Sequence, residues 1–202
     1  MATTITDVCN MTLARIGAKR IADYTDATDT KVETIYCRLF YEKTRDALMR
    51  SHLWRFAKAR VALVDTGTTP DFEWDYMFLL PDDFLRLISV FDDSDTPDGK
   101  PLDSYELEGT MLLINSSSCN LRYIKQVTDP DDWDSLFLQV FILYFAKHLV
   151  IPLSQSIELK ADLEKELYPL LRQVRAMDRE EGKIIGRSAL KTWNDARTSN
   201  YP

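Results

Sequence analysis

The chain has 202 residues, 45% of them hydrophobic, enough for one domain or for a core with a subdomain, in proportions ordinary for a globular protein. Its net charge of −7 is segregated: residues 1–60 carry 11 Lys/Arg against 7 Asp/Glu, residues 61–135 carry 4 against 17, and residues 136–202 carry 10 against 8. The acidic middle argues against a DNA-reading surface there, since phosphate binding rests on Lys and Arg. Three scattered cysteines (Cys9, Cys37, Cys119) exclude a disulfide framework and fit small buried hydrophobes in a reducing compartment.

In chain order, the N-terminus shows no basic-then-apolar leader, so no signal peptide is expected. Thr6 or Asp7 is placed to cap a first helix whose Cys9, Leu13 and Ile16 share one face, and Gly17 ends it. Thr30-x-x-Glu33 has the pattern of a capping box. It opens a second helix running to about Arg50, with an expected buried stripe of Val32, Ile35, Tyr36, Leu39 and Phe40.

Strands are expected over 56–64, 72–79 and 85–91. In the second, Phe72, Trp74, Tyr76 and Phe78 alternate with Glu73, Asp75 and Met77, the period of a strand with one buried face. Pro81 cannot continue a sheet ladder and turns the chain. Residues 92–101 read as an exposed acidic loop carrying Asp92, Asp93, Asp95 and Asp98. A hairpin around Glu108-Gly109 and a last strand over 119–127 follow.

Asp129-Pro-Asp-Asp introduces a third helix, with its acids near the N-terminal dipole. From Leu136 to Ile151 it is apolar on nearly every side, which predicts a central helix or one shared with a neighbouring subunit. Gln139, Lys147 and His148 interrupt that run, which is shorter than the roughly 18–20 residues of a membrane span. A fourth helix from about Ser156 spaces Leu159, Leu163, Leu167, Leu170, Val174 and Met177 on one stripe, and Pro169 predicts a kink or break near Tyr168. From Gly182 to Pro202 the periodicity disappears, leaving a basic tail with Trp193 as its largest anchor.

Chemistry-bearing patterns are sparse. The two histidines, His52 and His148, lie far apart, without His-Glu-x-x-His or Cys-x-x-Cys. His148 reads as a hydrogen-bonded core residue and His52 as part of the second helix's end. No Gly-x-Ser-x-Gly elbow is present. Gly182-Lys-Ile-Ile-Gly-Arg-Ser188 has the wrong order and spacing for a phosphate loop. Asn10-Met-Thr12 and Asn115-Ser-Ser117 match glycosylation acceptors by chance. The carboxylates leave open a pair of acids such as a glycosidase needs, so a tail-associated glycan hydrolase stands as the alternative, beside a soluble regulatory binding module. Trp54, Phe56, Trp74, Tyr76 and Phe78 read as packing between sheet and helices rather than a base-stacking platform. Catalytic, cofactor and metal sites are not expected.

An ordered series of motifs remains: Leu13-Ala14-Arg15-Ile16-Gly17; Tyr41 with Arg45-Asp46; His52-Leu-Trp54-Arg-Phe56-Ala57; Trp74, Tyr76, Leu80, Pro81, Asp83, Leu85 and Arg86; Arg122-Tyr123-Ile124; and Val127-Thr-Asp129-Pro130. Over about residues 5–180 this series resembles the tail tubular protein A, or head-to-tail adaptor, family of short-tailed bacteriophages. Read from the elements themselves, the chain is expected to be an α+β subunit: helices of residues 1–55 and 128–181 form one bundle, an antiparallel β subdomain of residues 56–127 is inserted between them, and residues 182–202, beyond the reach of the resemblance, form an extended docking tail. The resemblance implies a virion protein assembled in the host cytoplasm, a dodecameric ring between the portal and the tail nozzle. DNA would pass through its channel without specific binding, with no membrane involved. On that reading Asp92, Asp93, Asp95 and Asp98 face the channel or the nozzle. Lys183, Arg187, Trp193 and Arg197 then hold the portal or a neighbouring subunit, the tryptophan as anchor and the cations pairing with acids.

Overall fold

In the computed structural model, which describes residues 2–92 and 101–181, the chain is an α+β protein of four helices and two three-stranded antiparallel sheets. Helix α1 (Ile5–Arg15) is capped by Thr4: its hydroxyl accepts from the Asp7 N–H at 3.1 Å, and the Asp7 carboxylate accepts from the Thr4 N–H at 3.0 Å. The expected caps, Thr6 and Asp7, fall inside the helix, because this reciprocal pair needs a hydroxyl three residues before the acid. Gly17 ends the helix as expected. At φ +70° its N–H reaches the Ala14 carbonyl and that of Ala18 reaches Leu13, the two bonds of a Schellman stop. Asn10, at the glycosylation-like tripeptide, is buried and ties the following loop down through both backbone groups of Ile21.

Helix α2 (Val32–Arg50) departs most from expectation. The Thr30/Glu33 capping box is absent; the cap residue is Lys31 with no side-chain bond. Asp29 serves the helix start, accepting from the Lys31 N–H at 3.0 Å and the Thr34 hydroxyl at 2.9 Å. The buried face is Thr34, Cys37, Tyr41, Thr44, Arg45, Leu48 and Met49. Its polar members hide it from a hydrophobicity reading. Arg45 is tolerated inside because Asp46 accepts its Nε–H at 2.8 Å.

Helix α3 (Ser135–Ser154) is central, packed by α1, by α2 and by α4 (Ile157–Glu180). Asp134 caps it through the N–H groups of Leu136 and Phe137. Asp129 instead caps a separate 3-10 turn at Pro130–Asp132. At 20 residues and mean hydropathy 1.8, α3 is long and apolar enough to cross a membrane, since the helix extends through Pro152 beyond the apolar run. In this fold three helices use that apolar girth. Phe137, Phe141 and Phe145 meet Tyr41, Trp54, Phe56 and Trp133 in one aromatic cluster, with centroids 4.8–5.8 Å apart for Phe56–Phe137, Trp54–Phe137, Tyr41–Phe141 and Tyr41–Phe145. Helix α4, capped by Ser156, runs through Pro169 without the expected break. The carbonyl freed by the missing amide belongs to exposed Lys165, where water can satisfy it.

The strands are β1 (Lys58–Leu63), β2 (Tyr76–Leu79), β3 (Phe84–Phe91), β4 (Glu106–Glu108), β5 (Met111–Ile114) and β6 (Cys119–Lys125). They form sheets ordered β1-β6-β3 and β2-β5-β4, whose inner faces share a second core of Phe78, Leu112 and Ile114 against Val90, Leu121 and Tyr123. The pleat of β6 serves both cores: Leu121 and Tyr123 point into the sandwich, Ile124 into the helices. The β4–β5 hairpin turns at Gly109, φ +58°, between paired Glu108 and Met111. The strand expected over 72–79 begins only at Tyr76; Glu73 adopts φ +68° and Phe72 is 74% exposed.

Candidate functional site

The aromatic set singled out from the sequence divides between the two cores. Trp54 is buried in the helical cluster, where its Nε1–H donates to the Leu48 carbonyl at 3.0 Å and Phe56 packs beside it. Phe78 and Tyr76 belong to the sandwich. Trp74 borders a surface cleft and donates to Glu106 at 3.1 Å.

His52 does more than end α2. It is buried, its ring lies edge-on to Trp54, and its Nε2 stands 3.0 Å from the Asp178 carboxylate of α4. Burial lowers its pKa below the ordinary histidine value, against the opposing pull of Asp178. His148 is exposed, not a core residue, and packs edge-on to Tyr144. Cys9, Cys37 and Cys119 are free and buried, as expected; burial pushes the Cys119 thiol up to about 12. The exposed Asp7 and Asp26 and the partly buried Asp29 are carboxylates whose pKa values are lowered by hydrogen bonds from Thr4, from Thr28, and from Lys31 with Thr34. That is the reverse of what a general acid requires.

Of the predicted partner-facing residues, Asp92 follows β3 directly and is half-buried, not on an exposed tip. Asp93, Asp95, Asp98, Lys183, Arg187, Trp193 and Arg197 lie outside the described residues. Some of the described acids of the middle segment cluster beside the β2-β5-β4 sheet, with Glu106 and Glu108 on β4 facing a cleft that Asp71 and Glu73 of the loop before β2 also line. The opposite outer face carries Lys58, Arg60, Arg86 and Arg122. The pairing of β1, β6 and β3 thus joins Lys58 and Arg60, from the basic first segment, to Arg86 and Arg122 of the acidic one, a basic sheet face that a count along the chain does not show.

The surface most in need of explanation is the outer side of α2. Val32, Ile35 and Leu39 are 54%, 45% and 50% exposed, and Tyr36 stacks on Phe40 beside them at 6.1 Å. At about 100° per residue these three aliphatic residues sit roughly 120–180° around the helix from Tyr41, which is buried against Phe141 and Phe145 of α3. The expectation that this stripe is the buried face of α2 is thus overturned: Val32, Ile35 and Leu39 face outward, and only Tyr36 and Phe40 of it reach the core in part.

No protein-family model matches the chain, and no curated protein matches it.

Proposed function

We propose that the chain is a structural subunit of a bacteriophage virion, a ring-forming adaptor that joins the portal at the head to the tail nozzle. Twelve copies close the ring, assembled in the host cytoplasm, and DNA passes through the channel without specific binding. The reading involves no cofactor and no catalysis. The observation that carries it is the outward aliphatic stripe of α2. A helix with one face in a core normally shows polar residues on the other, whereas a contiguous exposed apolar surface marks a contact. The ordered motif series from Leu13-Ala14-Arg15-Ile16-Gly17 to Asp129-Pro130 supports the same reading. So does the acidic cleft of Asp71, Glu73, Glu106 and Glu108, which suits a wall that DNA slides past, since repulsion of phosphates acts within a Debye length of roughly 8–10 Å.

The test is electron microscopy and native mass spectrometry of the purified chain, alone at high concentration and mixed with portal rings. The expected result is a closed ring, seated on the portal. A compact monomer that joins neither its own kind nor the portal would overturn the reading.

A further inference from the structure

We infer that the α2 stripe of one copy inserts into a groove between α1, α3 and α4 of the next copy, making the contact head-to-tail. The inference rests on the ring reading and names the two surfaces that meet. The groove has a volume of about 620 Å³ and an apolar floor that includes Met11, Ile142, Leu143 and Leu170. That is within the size range of specific binding clefts, and Met11 at its edge is 38% exposed.

Three observations make these surfaces partners. The first is direction. On α3, Ile142, Leu143 and Gln139 lie roughly 100–200° around the helix from Phe141. Phe141 touches Tyr41 of α2, so the groove opens on the side of α3 away from α2. The stripe faces away from α3 in turn. Ridge and groove therefore stand on opposite sides of the bundle, too far apart to meet within one copy. Two unlike surfaces on opposite sides give a heterologous contact, the kind that propagates and closes into a ring; a two-fold dimer would pair like with like.

The second is charge. The stripe ends at exposed Glu42 and Lys43. The groove is rimmed by Arg15 and Glu166, ion-paired at 3.0 Å with each side chain about half exposed. An acid and a base on the ridge thus meet a base and an acid on the rim, where opposite charges fix register and wrong pairings are penalised. The third is shape. Val32, Ile35 and Leu39 recur on one face of a helix, the spacing with which an amphipathic helix seats in an apolar groove. They act as central anchors, with the flanks of the bundle supplying the rest of the area a stable contact needs, roughly 800 Å² per partner.

Thiol cross-linking tests this. Ile35→Cys and Met11→Cys each place a reactive group on a surface, while the native Cys9, Cys37 and Cys119 are buried. With a short bismaleimide, the double variant should give a ladder of dimer, trimer and higher species up to the ring. A mixture of the two single variants should stop at dimers, and each single variant alone should give none. Leu39→Asp should weaken association by roughly tenfold or more. Dimers from Ile35→Cys alone would mean ridge-on-ridge pairing and would overturn the head-to-tail contact. So would a ring seen by native mass spectrometry with no bridge between positions 35 and 11, which would leave the ring reading standing. Absence of any oligomer, with portal present or not, would overturn both.

Discussion

Asp178 holds the turn between α2 and β1 against α4 by two bonds: one carboxylate oxygen faces His52 Nε2 at 3.0 Å and the other accepts the Arg55 N–H at 3.1 Å. Asp178→Ala leaves the buried His52 ring without its partner and hands the exposed Arg55 N–H to water, so it should cost about 1–3 kcal/mol, read from urea denaturation. His52 also makes stability depend on pH. Its folded pKa is lowered, chiefly by burial, so the unfolded chain takes up a proton first. Its contribution is whole above the unfolded value near 6.5 and is lost as pH falls below it. Denaturation midpoints should therefore drop between about pH 7 and pH 5, and His52→Gln should flatten that slope. Trp54 is the larger structural investment, 1% exposed and edge-on to Phe137 at 5.0 Å. Trp54→Ala should cost about 3–5 kcal/mol.

The helix ends give cleaner tests of local chemistry. Gly17 sits at φ +70°, and a Cβ there would meet nothing within 4 Å. Any loss in Gly17→Ala is therefore conformational, about 1–2 kcal/mol for a left-handed residue with a side chain, measurable by thermal melting. At the start of α2 the two readings separate. Asp29 accepts two bonds there, so Asp29→Ala should cost about 1 kcal/mol. Thr30→Ala, at the residue expected from its sequence pattern, should stay within about 0.5 kcal/mol of the parent. Equal losses from both substitutions would restore the capping box.

For the whole molecule, the exposed stripe allows folding to be tested apart from the proposed assembly. Val32→Gln, Ile35→Gln and Leu39→Gln combined replace half-exposed aliphatics by residues of good helix propensity. The monomer should melt within a few degrees of the parent, roughly what a change under 1 kcal/mol gives, while ring formation is lost. The same substitutions in a core stripe would unfold the chain, so circular dichroism together with native mass spectrometry distinguishes the two cases. The motif residues behave differently. Tyr41, Trp54 and Leu80 are buried, the Tyr123 hydroxyl donates to Asp83 at 2.9 Å, and Gly17 stops a helix. They hold the fold and lie outside the proposed contact, so changing them should reduce stability before it reduces any assembly.

By itself the sequence determined the elements: four helices, the hairpin at Gly109, the turn at Pro81 and the apolar girth of α3. Each depends on neighbours close in the chain, through periodicity, turn residues and caps. Periodicity also identified the stripe of α2, but it cannot say which way a stripe points, because a core face and a contact face have the same pattern. Tertiary structure decided that. Cys37, Tyr41 and Leu48, with Thr34, Thr44 and Arg45 among them, form the face that α3 covers, leaving the more hydrophobic side in solvent. Long-range pairing likewise collected Lys58 and Arg60 with Arg86 and Arg122 on one sheet face, and brought His52 to Asp178 across 126 residues of chain. Such contacts join residues whose local sequence carries no sign of one another, so they exist only once the chain has folded.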